Sequence, residues 1–160
     1  MGQALLYGLF ALIIGYFSSA PPYRHLPPDQ ALIKLSFSHN GKLISECRQR
    51  TAEELAKLPP NMRAPLDCQR ERSPVIVEID LDGSPAYRHV AKPSGLSKDG
   101  ASTVYHRFTV ASGAHRLAVR LNDDRRAGGF NFRREETVTL KPGTVLVIDF
   151  NAESGGITLQ

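Results

Sequence analysis

The chain has 160 residues, of which 41% are hydrophobic and 22% charged, with no tryptophan and a formal net charge of +4. This is the composition of an ordinary globular domain, and it excludes collagen-like, disordered and multispanning classes. The modest charge does not call for a nucleic-acid partner, because the basic pairs Arg125-Arg126 and Arg133-Arg134 stand beside Asp123-Asp124 and Glu135-Glu136 and read as self-compensating surface.

Gly2 to Tyr23 carries no charged side chain, and Ala4 to Phe17 (ALLYGLFALIIGYF) is nearly all apolar. The run is a membrane-targeting segment at the lower limit of length for a spanning helix. Ser18 and Ala20 meet the small-residue requirement of signal peptidase, but Pro21 follows the scissile bond and suits an extended protease cleft badly. Residues 1–20 are therefore expected to remain as an anchor, with residues 4–20 in the bilayer; a removed signal peptide is the alternative. Gly8, Ala11 and Gly15 lie three and four residues apart on one helix face, where small side chains allow close helix packing. Residues 21–30 (PPYRHLPPDQ) hold two Pro-Pro pairs and read as a semi-rigid polyproline stalk.

Residues 31–160 follow as one domain. ALIKLSFS is a strand that the Asn40-Gly41 pair is expected to turn back into KLIS as a hairpin. Cys47 and Cys68 are the only cysteines, an even count without zinc, haem or CxxC spacing, and they are expected to form one structural disulfide in an oxidising compartment. That places the domain outside the cytoplasm, and it outweighs the few basic residues, Arg24 and Lys34, that argue for the opposite topology. Between the cysteines, residues 48–67 (RQRTAEELAKLPPNMRAPLD) show a capping box, Thr51 and Glu54, ahead of a short helix that stops before Pro59-Pro60. The arginines around this insertion, Arg48, Arg50, Arg63, Arg70 and Arg72, are candidate contacts for a partner or for anionic headgroups; a solvated excursion is the plainer reading.

The remainder alternates with a period of two. Val75, Val77, Ile79 and Leu81 share a face before the Asp82-Gly83 turn; Val104, His106, Phe108 and Val110 share another, and after the turn ASGA so do Leu117, Val119 and Leu121. The last two are expected to form a hairpin, as are ETVTL and TVLVIDF around Lys141-Pro142-Gly143. The unbroken apolar run of TVLVIDF suggests a central strand covered on both faces. Seven or eight short strands turning about every ten residues predict an all-β, antiparallel sandwich.

The stretches VIVEIDLDG, FTVASGAHRLAVRL and ETVTLKPGTVLVIDF resemble PEGA-like and other transthyretin-like (prealbumin-type) modules over about residues 74–151, with the Ser112-Gly113-Ala114-His115 corner the most distinctive piece. The resemblance implies an immunoglobulin-like or transthyretin-like sandwich that binds or scaffolds and runs no reaction. HVAKPSGLSKDGAST is longer than the corresponding connection in such modules.

No catalytic pattern stands beside it. The histidines His25, His39, His89, His106 and His115 are scattered, without HxxxH or HExxH spacing, and GxSxG, P-loop and dinucleotide motifs are missing. His106 reads as a core or edge histidine and His115 as a cap on a turn. The sequence therefore predicts a non-enzyme without cofactor, metal or small-molecule substrate. The expected role is an accessory or assembly subunit of a membrane complex in a bacterial inner membrane, single pass, with the C-terminal domain in the periplasm. Its expected partners are other membrane subunits and the bilayer. The alternative is a secreted module that binds a glycan, peptide or anionic ligand.

Overall fold

The computed structural model describes residues 2–20 and 26–160, so most of the expected stalk, residues 21–25, lies outside the described residues. Helix α1 runs Gly2–Ser19. The strands are β1 (Gln30–His39), β2 (Arg48–Gln49), β3 (Leu66–Asp67), β4 (Val75–Leu81), β5 (Ser84–Ala91), β6 (Ser102–Ala111), β7 (Gly113–Asn122), β8 (Phe132–Leu140), β9 (Val145–Asn151) and β10 (Gly156–Leu159). Helix α2 (Ala52–Ala56) and a 3-10 turn (Pro60–Met62) lie between β2 and β3.

The eight longer strands form two four-stranded sheets, ordered β10-β9-β1-β6 and β5-β4-β7-β8. Their inner faces share one core, because alternation puts every second residue on the same side. Ile33, Leu35 and Ile148 from the first sheet and Val77, Ile79, Leu117, Val119 and Leu121 from the second are all essentially inaccessible. The period-two reading of β4, β6 and β7 therefore holds residue by residue. The strand β5 was not foreseen: half of what reads as a long connection after Gly83 pairs with β4 across a turn in which Asp82 and Gly83 both have positive φ.

Three expected hairpins do not form. Lys42 to Ser45 is no strand and meets its neighbours only through the bridge Leu43↔Arg72, while β1 pairs antiparallel with β6 and parallel with β9. Gly41 serves close approach instead of a hairpin turn: a methyl group there would overlap the Ser73 carbonyl oxygen and lie 3.2 Å from that of Asp123. Strands β6 and β7 are joined by Ser112 alone. One residue is too few to close a hairpin, so the chain crosses to the opposite sheet, where β7 pairs with β4 and β8. The turn at Lys141-Pro142-Gly143 likewise delivers β9 to the sheet opposite β8. The parallel β1–β9 pair also corrects the expectation of a wholly antiparallel fold. Strand β9 is interior to its sheet but covered on one face only, with Ile148 and Phe150 buried and Val145 47% exposed.

The two ends of the double sheet differ. At one lie the start of β1 and the turns at 82–83, 112 and 141–144, tied together where Ser112 N–H donates to the Asp29 carbonyl and Gly143 N–H to that of Gln30. At the other lie the end of β1, the disulfide insertion and the connections 92–101 and 123–131.

Candidate interaction surfaces

Helix α1 is long and apolar enough to cross a membrane, and none of it is buried against the rest of the described chain. Eighteen residues at about 1.5 Å each give roughly 27 Å, close to the hydrocarbon thickness of about 30 Å. The hydroxyls of Ser18 and Ser19 donate back to the Gly15 carbonyl, which satisfies them without water. Nothing lies within 4 Å of the Cβ positions of Gly8 or Gly15, and Ala11 shares their face. The small-residue seam is open to a neighbouring helix.

Cys47 and Cys68 are bonded, with Cα atoms 4.3 Å apart. The lobe they close is held by polar contacts. Thr51 and Glu54 make both arms of the capping box on α2, and the Thr51 N–H together with Arg48 holds the Glu54 carboxyl below its ordinary pKa. Arg48 pairs with Glu54 at 3.0 Å and with Asp67; Arg50 pairs with Asp67 at 3.1 Å and reaches the Ala64 carbonyl. Arg63 donates to the Leu58 carbonyl. Arg72 points into the domain, donating to the carbonyls of Asp99 and Gly41. Arg70 is exposed. Four of the five arginines proposed from sequence thus stabilise the lobe and its root. Their acidic and carbonyl partners lie 5 to 31 residues away, beyond what linear reading reveals.

A second polar group at the same end was not legible in the sequence. His39 Nε2 bonds Asp123 Oδ2 at 2.8 Å, with the two side chains 15% and 4% exposed, and Asn131 donates to the other oxygen of Asp123. His39 packs edge-on against Phe150 at 4.7 Å. It lines an open cleft of about 550 Å³ with Asn40, Asp149, Phe150, Asn151 and Glu153. Among the described residues no three His, Cys, Asp or Glu side chains converge as metal ligands. His39 and Asp123 are 84 residues apart, and no motif links them.

His106 and His115 close seams between the sheets. His106 stacks on Tyr87 with ring centres 4.1 Å apart and planes 9° from parallel, joining edge strands β6 and β5. His115 bonds Asp82 at 2.7 Å through Nδ1 and the Ala111 carbonyl at 2.9 Å through Nε2, tying two turns together. Two acceptors suit a doubly protonated ring. Asp82 and then the Ala111 carbonyl raise the His115 pKa, against an opposing effect of burial; His115 and the Arg116 N–H lower that of Asp82.

The outer faces of the two sheets contrast. On β5-β4-β7-β8, Glu78 pairs with Arg88 and Arg120, Asp80 with Arg120, and Arg116 with Glu135. On β10-β9-β1-β6, residues stand in rows: Val145, Leu32 and Thr109; then Val147, Lys34 and Arg107; and Tyr105 beside Ser36 beyond. Leu26 and Leu32 border a groove of about 330 Å³ with Arg107 and Thr109.

Comparison with protein-family models, with curated proteins and with solved structures returns no match to this chain.

Proposed function

We propose that this chain is a membrane-anchored, non-catalytic subunit that supports a larger membrane complex through α1 and through its β domain, an immunoglobulin-like or transthyretin-like sandwich. The observation that carries the reading is the helix: eighteen residues, apolar or small apart from Gln3, with no covering from the rest of the described chain. Their small-residue seam suits a second helix. The Cys47–Cys68 bond supports an extracytoplasmic domain, here on the periplasmic side of a bacterial inner membrane.

The test is affinity purification of the full chain from native membranes in mild detergent, with co-purifying chains identified and the intact mass read in the same sample. The subunit reading expects a full-length mass with stoichiometric membrane partners, and loss of those partners in Gly15→Leu. Unchanged co-purification of Gly15→Leu sinks it. A mass lacking residues 1–20 with no partner establishes the secreted binding module instead, for which Ser18 and Ala20 supply the cleavage spacing.

A further inference from the structure

We infer that the outer face of the β10-β9-β1-β6 sheet is a lipid-contacting face at its entry end, its rows stepping outward through the headgroups of the membrane that holds α1; the inference rests on the anchored reading above. The first argument is reach. The chain enters the domain at Leu26, six Cα steps after Ala20, so the domain's entry end is within about 20 Å of the end of the helix. The first row of the outer face, Val145, Leu32 and Thr109, stands at that end, beside the entry turn and the 141–144 turn.

The second argument is the order of chemistry along the face. Its lowest row holds Val145, 47% exposed, Leu32, 9% exposed, and Thr109, with Leu26 bordering Leu32. Lys34 and Arg107 face each other two residues further on, about 7 Å higher, comparable with a headgroup layer of roughly 5–8 Å. Among the described residues neither takes part in an ion pair, and residues 21–25 (PPYRH) contain no carboxylate to provide one. Above them Lys34 lies 5.8 Å from the centre of the Tyr105 ring, which is 59% exposed. Apolar side chains, then cations, then an amphipathic aromatic match the profile of a membrane interface.

The third argument is charge complementarity. Lys141 in the adjoining turn adds a further cation. The face's carboxylate, Asp149, sits level with Ser36 and Tyr105, away from the entry end, and Asp29 is the carboxylate at the entry turn. The opposite sheet pairs most of its outer charges internally and leaves Arg133 outside those pairs, whereas this face sets Lys34 and Arg107 side by side towards an anionic surface.

The chain contains no tryptophan, so single introduced tryptophans report locally. Full-length Val145→Trp, Thr139→Trp and Leu12→Trp are each placed in vesicles of phosphatidylcholine, with and without phosphatidylglycerol, doped with bromine-labelled lipids that quench tryptophan on contact. Thr139 is the control, exposed at the same end on the outer face of the other sheet. Val145→Trp is expected to be quenched, more so with phosphatidylglycerol, and Thr139→Trp to be spared; adding Lys34→Gln and Arg107→Gln should remove the phosphatidylglycerol dependence. Equal quenching of the two domain positions, or none at Val145, overturns the inference. So does a blue shift of Val145→Trp in native membranes without lipid quenching, which would mean that a protein covers the face. Leu12→Trp separates the two readings: if it is quenched while Val145→Trp is silent, the anchor stands and the lipid face falls. If Leu12→Trp is itself unquenched, both fall.

Discussion

Replacing both Cys47 and Cys68 by alanine tests how the insertion is attached to the rest of the domain. The bridge spans a sequence separation of 21 residues, for which the loop-closure estimate is about 3 kcal/mol. In a domain of roughly 130 residues, 1 kcal/mol shifts Tm by about 4 °C. If the lobe stays folded without its bridge, the whole domain should lose about 12 °C. The structure argues for a different outcome. No residue from Glu46 to Arg70 is buried, and the core is drawn from the two large sheets alone. Ordering the lobe costs about 1–2 kcal/mol per residue in backbone entropy. Its opposing contacts are a capping box worth about 1 kcal/mol and exposed ion pairs worth about 0–1 kcal/mol each. Untied, the lobe should melt alone up to its root, where Ile44 N–H meets the Glu71 carbonyl and Ser73 N–H that of Lys42. Hydrogen exchange of the full chain in detergent should then show lost protection at Arg50, Leu55, Lys57 and Met62, whose N–H groups bond within the lobe. The sheets should unfold within about 4 °C of wild type, corresponding to about 1 kcal/mol. A fall near 12 °C with those amides still protected would refute the reasoning.

Gly41→Ala should destabilise the sheets themselves by about 1–3 kcal/mol, because the new methyl overlaps the backbone oxygen of Ser73, which cannot swing aside; a denaturant midpoint like that of wild type would contradict this. The His115–Asp82 contact should make stability depend on pH from both sides. The raised pKa of His115 means that its contribution is complete below the unperturbed 6.5 and is lost as pH rises through the folded value. The lowered pKa of Asp82 means that its contribution is present above the unperturbed 3.8 and is lost as pH falls through the folded value. The stability difference between wild type and His115→Gln should therefore be largest between these two values and shrink towards alkaline pH, as followed by unfolding midpoints across pH; a pH-independent difference would remove the ion pair from the account.

How much of this molecule was legible before its structure depends on how far apart the deciding atoms lie in the chain. The alternation of Val75, Val77 and Ile79, and of Leu117, Val119 and Leu121, depends only on the two-residue period of a strand; their faces were readable, and all six are buried. The Thr51–Glu54 capping box spans three residues and was equally plain. The cysteine pair was expected from the even count and from a spacing that fits no metal, haem or CxxC motif, and it forms. Among the candidate contacts, the helix residues Gly8, Ala11 and Gly15 share a face because helical geometry dictates it. The arginine lobe read differently from sequence because Glu54 and Asp67 come within reach of Arg48 only once the loop is closed.

What the sequence determined by itself was therefore local: an apolar N-terminal helix, strands with an inner and an outer face, a capped turn of helix and a mostly β domain. Tertiary structure decided which strand lies beside which. Asn40-Gly41, Ser112-Gly113 and Pro142-Gly143 each specify that the chain reverses or bends, but a turn's backbone angles carry no information about which sheet receives the next strand. That choice belongs to contacts such as Ile33 with Phe108 and Leu146, 75 and 113 residues away. The same long-range pairing brings His39 to Asp123 and Lys34 to Arg107, because groups remote in the chain become neighbours only when a common core draws their strands together.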